Sequence, residues 1–195
     1  MEKDKLNLRC LMASKTEFKT RENDDQLIIE GYFAVFNSNY DFAPGLSESI
    51  APEAFDNTLS DDIRALINHD TTLVLGRTSA HTLELNVDNH GLFGRIIINP
   101  KDSDAMNGYA RVQRGDVSQC SIGFEIVREE TEVSAGGANI HWTIREIKLY
   151  EVSICTFPAY EDTSVKSRSQ QAKDIVERQN QVWKENMLKK LKGEM

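Results

Sequence analysis

Runs of β-branched and aromatic residues recur along most of the chain, and they predict strands rather than helices. Residues 82–88 and 92–98 form one predicted hairpin, because Asn89-His90-Gly91 is a turn signal between two such runs. Predicted strands cover residues 26–36, 62–68, 82–88, 92–98, 118–127 and 140–157. The last strand ends where Pro158 removes a backbone donor.

Helical signals are fewer and lie between these runs. Asp102 or Ser103 can cap a helix over residues 104–113, which Gly115 would end, and Pro52-Glu53 is typical of a helix start. Near the C-terminus, apolar residues recur at close to helical spacing and predict an amphipathic helix. These residues are Ala172, Val176, Trp183, Met187 and Leu191.

Strands therefore outnumber helices, and the two do not alternate regularly. We predict an α+β fold built on a small antiparallel or mixed β-barrel with a few helices around it. The chain divides into a flexible arm (1–25), the main domain (26–160), a polar linker (161–171) and the amphipathic helix (172–195).

Composition excludes several classes of function. The 195 residues carry a net charge of −8 with no basic cluster in the main body, which argues against a nucleic-acid groove. No apolar run is long enough to span a bilayer, and the charged N-terminus is unlike a secretory signal. Three cysteines and four histidines lack metal-ligand spacing. We therefore expect reduced thiols, no metal and no cofactor.

Strand alternation identifies a candidate nucleophile. In residues 118–127, Cys120, Ile122 and Phe124 share one face, whereas Ser121 and Gly123 share the other. The apolar face belongs in the core, so Ser121 should face a cleft. The alternative nucleophile, Cys120, would then be buried, although thiols are the better intrinsic nucleophiles.

A base and an acid are available for Ser121. His69 lies where the strand over residues 62–68 ends, and Glu151 shares a face with apolar residues in the last strand. A carboxylate there needs a partner, either an imidazole that it orients or an arginine such as Arg145 or Arg77. If the three side chains converge, His69 activates Ser121 and Glu151 orients His69.

These residues lie in segments that resemble the prohead serine proteases of tailed bacteriophages. The resemblance covers about residues 26–165 in family order. The matching segments are GYFAVFN (31–37), IAPEAF (50–55), LINHD (66–70), LGR (75–77), GLF (91–93), GDVSQCSIGF (115–124), LYEVS (149–153) and PAY (158–160).

The resemblance implies a fold similar to the herpesvirus assembly protease, with His69 and Ser121 as catalytic residues. The third member matches less closely, so His141, His81 and His90 remain alternatives to Glu151. The implied substrates are capsid and scaffold precursor proteins and the chain itself, which would also self-associate. The implied location is the assembling procapsid in the host cytoplasm.

A different class of function also remains open. A barrel without activity could act as a scaffold-like capsid assembly protein that uses its C-terminal helix. The presence of both His69 and Ser121 favours the protease.

Overall fold

The computed structural model describes residues 9–12, 18–23, 26–134, 138–157 and 162–192. These residues form two β-sheets, two α-helices and two short 3₁₀ helices at Pro52–Phe55 and Thr78–Ala80. The strands are β1 (Arg9–Met12), β2 (Lys19–Asn23), β3 (Gln26–Val35), β4 (Tyr40–Ala43), β5 (Leu46–Ile50), β6 (Arg64–Ile67), β7 (Asp70–Arg77), β8 (Leu83–Val87), β9 (Gly91–Ile98), β10 (Gln119–Val133) and β11 (Ile140–Cys155). The α-helices are α1 (Ser103–Arg114) and α2 (Asp162–Leu191).

The larger sheet is organised around the long strand β11. Its order is β1-β10-β11-β5-β4, with β6 also paired to β11 and β7 paired to β6. Strand β10 runs antiparallel to β11, whereas β5 and β6 run parallel to successive parts of it. The second sheet has the antiparallel order β2-β3-β9-β8 and contains the predicted β8–β9 hairpin, which is confirmed.

One hydrophobic core joins strands from both sheets with α1. Fully buried side chains include Phe33 from β3, Ile96 from β9, and Ile122 and Phe124 from β10. The helix predicted over residues 104–113 is confirmed as α1. Asp102 Oδ1 accepts hydrogen bonds from the backbone amides of residues 104 and 105, and Gly115 ends the helix with a left-handed backbone conformation. One face of β10 and β11 thus packs on this core, and the opposite face carries the candidate site described below.

The fold differs from the predicted closed barrel. The α+β class is confirmed, but the strands of the described residues form two hydrogen-bonded sheets rather than one closed barrel. Strands β10 and β3 contact each other across the core without sharing a ladder. Barrel closure depends on pairing between strands that are distant in sequence, and hydrophobic alternation within a strand carries no information about that pairing.

Near both ends of the chain, the described residues are more regular than predicted. Strands β1 and β2 lie within the predicted arm over residues 1–25. Strand β1 pairs with β10 in the larger sheet, and β2 pairs with β3 in the second sheet. At the other end, α2 begins at Asp162 and so includes most of the predicted linker. None of the helices described is long and apolar enough to cross a membrane.

The start of α2 is held on the larger sheet by one buried arginine. Arg168 is 2 % exposed and donates hydrogen bonds to Glu48 at 3.1 and 3.2 Å and to Glu129 at 2.6 and 2.9 Å. Its guanidinium also lies 4.7 Å from the centre of the Trp142 ring. This tertiary contact explains why a polar segment is helical here, because the two carboxylates and the indole that Arg168 contacts come from three distant strands.

Candidate active site

His69 lies at the tip of the β6–β7 hairpin. Ile67 pairs with Asp70, so Asn68 and His69 form a two-residue loop. Both have positive φ, 51° and 60°, as the favoured type I′ hairpin turn requires. Asparagine and histidine are among the residues that tolerate this left-handed region best.

The base of the same hairpin is held by an acidic residue. Arg64 and Arg77 face each other across the two strands, and Asp62 binds both guanidiniums. Arg77 Nε donates to Asp62 Oδ1 at 2.8 Å, and a second guanidinium nitrogen binds Oδ2. The hydrogen bonds from Arg77 are the main reason why the pKa of Asp62 lies well below its usual range.

Three hydrogen bonds hold the hairpin tip on β11. The backbone amide of Asn68 donates to Ile154 O at 2.9 Å, and the backbone amide of Thr156 donates to the side-chain oxygen Oδ1 of Asn68 at 2.9 Å. The His69 amide donates to Ser153 Oγ at 3.2 Å. Together with the parallel β6–β11 pairing, these bonds set the position from which the imidazole reaches the sheet.

The imidazole of His69 contacts the carboxylate of Glu151. His69 Nδ1 lies 2.6 Å from Glu151 Oε1, and the two side chains are 18 % and 10 % exposed. The other carboxylate oxygen, Oε2, accepts a hydrogen bond from Ser153 Oγ at 2.6 Å. An ionised carboxylate can only accept, so Nδ1 carries a proton in this contact, and in the neutral ring Nε2 keeps a lone pair.

Ser121 lies on the same face of the sheet as this pair. Across the antiparallel β10–β11 ladder, Ser121 faces Ser153 and Gly123 faces Glu151. Directly opposed residues share a face, with Cβ atoms about 4.5–5.5 Å apart. His69 Nε2 is 3.9 Å from Cys155 Sγ, which is a diagonal neighbour of Ser121 on this face. Ser121 itself is fully buried, so the expectation that it faces an open cleft is not met.

Gly123 makes room for the carboxylate. A Cβ atom at this position would lie 2.2 Å from Glu151 Oε1, with Cδ and Cγ of the same side chain at 2.9 and 3.0 Å. The carboxylate therefore leans over β10, beside Ser121. The register shift that follows Gly123 interrupts the regular pairing at this point, and β-bulges of this kind are common near functional sites.

The alternative third residues lie elsewhere. His141 is ten residues before Glu151 on β11, roughly 30 Å away along an extended strand, and its two ring nitrogens contact Ser47 and Ser49. His90 lies in the β8–β9 turn and packs against Tyr32 of β3. His81 follows the second 3₁₀ helix as an exposed residue. Of the four candidates, Glu151 is the one seen in contact with His69.

The arginine alternatives for Glu151 also have other partners. Arg145 binds Glu53 and Glu130, and Arg77 binds Asp62. Both guanidiniums are thus occupied by carboxylates away from Glu151.

The cysteines differ in their distance from the site. Cys120 points into the core, where its thiol donates to Tyr32 O at 3.1 Å and to Phe33 O at 3.6 Å. This is the face opposite to Ser121, as alternation predicted. Cys155 is on the site face, beside His69 Nε2. Sequence reasoning assigned no role in the site to Cys155 or Ser153, although both share the strand parity of Glu151.

The described residues hold no cluster of three or more histidine, cysteine or acidic side chains suited to a metal ion. The groups that the site brings together are a carboxylate–imidazole pair and a buried serine on the same face of the sheet.

Comparison with known proteins decides the family. The model of the Caudovirus prohead serine proteases matches residues 14–178. The chain belongs to this family. It is 31 % identical, over 162 residues, to the prohead protease of Enterobacteria phage HK97, covering 81 % of this chain and 67 % of that protein. The resemblance predicted from sequence is therefore confirmed, and with it the function class: a serine protease of phage prohead maturation.

A solved structure gives a more distant likeness. The bacteriophage T4 capsid assembly protease aligns with a TM-score of 0.46 and 9 % identity, over 76 % of this chain and 96 % of that one.

Proposed function

We propose that this family member is a serine endopeptidase in which Ser121 is the nucleophile, His69 the general base and Glu151 the orienting acid. The observation that carries the proposal is the 2.6 Å contact between His69 Nδ1 and Glu151 Oε1, on the sheet face that includes Ser121. Nucleophile, base and orienting acid in this order are the elements of an acyl-transfer site.

The reaction follows from these positions. Ser121 Oγ attacks the carbonyl carbon of the scissile peptide while its proton passes to His69 Nε2. Glu151 stabilises the imidazolium, which then gives the proton to the leaving amine as the C–N bond breaks. Water, activated by the same imidazole, hydrolyses the acyl-enzyme and regenerates Ser121.

The proposed substrates are the proteins of the assembling shell. The similar phage HK97 protein is named a prohead protease and the T4 protein a capsid assembly protease. We therefore propose capsid and scaffold precursors as substrates, cleaved inside the procapsid in the host cytoplasm, together with the chain itself. Residues 26–160 are the proposed protease unit.

Intact-mass analysis tests this proposal. Wild type, Ser121→Ala, Cys120→Ala and Cys155→Ala proteins are incubated alone and after co-assembly with a capsid-protein precursor. We expect the same fragments from wild type and both cysteine variants, and none from Ser121→Ala. Cys155→Ala is the sharpest control, because its thiol lies nearest to His69 Nε2. Cleavage by Ser121→Ala, or loss of cleavage only in a cysteine variant, would reject the serine mechanism.

A non-catalytic assembly role is the second candidate, supported by the far part of α2. Val182, Trp183, Leu188 and Leu191 are each more than half exposed there. A helix that binds the shell would present such a surface. If wild type and Ser121→Ala remain uncut even inside co-assembled shells, while Trp183→Ser prevents incorporation, the assembly role is favoured over the protease.

A further inference from the structure

We propose that Ser153 is a positioning residue, whose one hydroxyl group couples the orientation of the Glu151 carboxylate to the placement of the His69 backbone. This inference rests on the proposed function, which assigns catalytic roles to His69 and Glu151. Ser153 itself would touch no substrate atom, because it acts through its two neighbours.

The hydroxyl of Ser153 fills two hydrogen-bonding roles at once. It donates to Glu151 Oε2 at 2.6 Å and accepts the His69 amide at 3.2 Å. A serine hydroxyl has one donor and two acceptor lone pairs, so both bonds form together. The first bond is charge-assisted and has the short length typical of that class. Ser153 is fully buried, and its relative exposure is 0 %.

For Glu151, the consequence is that both carboxylate oxygens have a hydrogen-bonding partner. Oε1 contacts His69 and Oε2 accepts from Ser153. The terminal torsion of glutamate is broad, so a single contact on Oε1 leaves the plane of the carboxylate poorly defined. The bond to Oε2 fixes that plane, and Gly123 leaves the space in which the carboxylate lies.

For His69, the consequence is a tethered hairpin tip. Its φ of 60° lies in the left-handed region, where residues other than glycine depend on their surroundings. The hydrogen bond to Ser153 Oγ ties this residue directly to the strand that carries Glu151. Hence the acid and the base share one anchor atom, and a change at Ser153 displaces both together.

The test compares Ser153→Ala with two matched variants. Ser49→Ala removes another buried strand serine that contacts a histidine, but at the distant His141. Ser153→Thr retains a hydroxyl and serves as the rescue variant. Thermal unfolding verifies that each variant folds. The alanine change at residue 153 deletes a single oxygen atom, and the structure offers no steric reason for it to misfold.

Kinetics and a spectroscopic signature provide the readouts. In Ser153→Ala we expect kcat to fall about 10²-fold with KM nearly unchanged, the cost of misplacing a catalytic group by about 1 Å. In the Ser121→Ala background, the ¹H NMR resonance of the His69 Nδ1 proton should be lost in Ser153→Ala. It should remain in Ser49→Ala and return in Ser153→Thr.

The outcomes separate this inference from the proposed function. If Ser153→Ala keeps both the resonance and the kcat of Ser49→Ala, the positioning role is wrong while the protease mechanism stands. Cleavage by Ser121→Ala would reject the mechanism, yet the resonance would still report whether Ser153 holds the Glu151–His69 contact.

Discussion

Gly123→Ala is expected to displace the proposed catalytic acid, Glu151, without substituting any of the three proposed catalytic residues. The added Cβ would lie 2.2 Å from Glu151 Oε1, whereas unstrained contacts of this kind are longer than about 3 Å. Relief requires the carboxylate to move by about 1 Å. The present 2.6 Å contact with His69 would then lengthen to about 3.6 Å, which is beyond a hydrogen bond.

Two magnitudes follow. Loss of the orienting acid lowers kcat by up to about 10⁴-fold in a well-studied serine protease, and we expect a fall of about 10²- to 10⁴-fold here. Forcing one extra carbon into a packed site costs about 1–3 kcal/mol of unfolding free energy. Urea denaturation and mass-detected cleavage of a capsid precursor measure the two effects separately.

A double-mutant cycle supplies the control. The three atoms nearest to the new Cβ all belong to the Glu151 side chain beyond its own Cβ, so Glu151→Ala removes the clash entirely. In that background Gly123→Ala should be neutral, or stabilising by about 0.4–1 kcal/mol through the unfolded state. The two changes should therefore couple by at least about 1 kcal/mol. Additive effects, or a fully active Gly123→Ala protein, would refute the reasoning.

Three further predictions concern other contacts. Glu151→Gln should lower kcat by about 10³–10⁴-fold, because an amide no longer selects the Nδ1-protonated tautomer, and a loss below tenfold in the cleavage assay would contradict its role. Arg168→Met should lower the free energy of unfolding by about 2–4 kcal/mol in urea denaturation, since it leaves two carboxylates without their cation. The matched change at an exposed arginine, Arg178→Met, should lower it by almost nothing, and equal losses in the two variants would contradict this reasoning. Arg77 lowers the pKa of Asp62, so the stability of this contact is present above the usual aspartate pKa and is lost as pH falls through the folded value. Between about pH 4 and 2, the wild-type Tm should therefore fall more steeply than that of Asp62→Asn, and parallel curves would contradict the assignment.

Local pattern was sufficient for the elements that face the core. Alternation in residues 118–127 correctly separated Cys120 from Ser121, because the core face of β10 is strictly apolar. The α1 boundaries were likewise predictable, because the side chain of Asp102 caps amides two and three residues further on and Gly115 adopts a positive φ without steric cost.

Features that depend on distant partners escaped sequence analysis. Strand β7 has a mostly exposed first half, so its hydrophobic pattern is weak, and its pairing with β6 depends on an Asn-His turn rather than the more familiar Asn-Gly. The helical start of α2 depends on Arg168, whose two carboxylate partners, Glu48 and Glu129, lie 120 and 39 residues away in sequence. The role of Ser153 was hidden for the same reason: its hydroxyl binds a backbone amide 84 residues away.

The central place of β11 has a consequence for the order in which the site comes apart. Near Glu151 this strand is hydrogen-bonded to β10 on one edge and to β6 on the other. His69, in contrast, lies at a loop between β6 and the outer strand β7. In native-state hydrogen exchange, amides of β11 should open only with global unfolding, while those of β7 open sub-globally. Heat would thus displace His69, the proposed base, first, while Ser121 and Glu151, the proposed nucleophile and acid, are still held in the β10–β11 ladder.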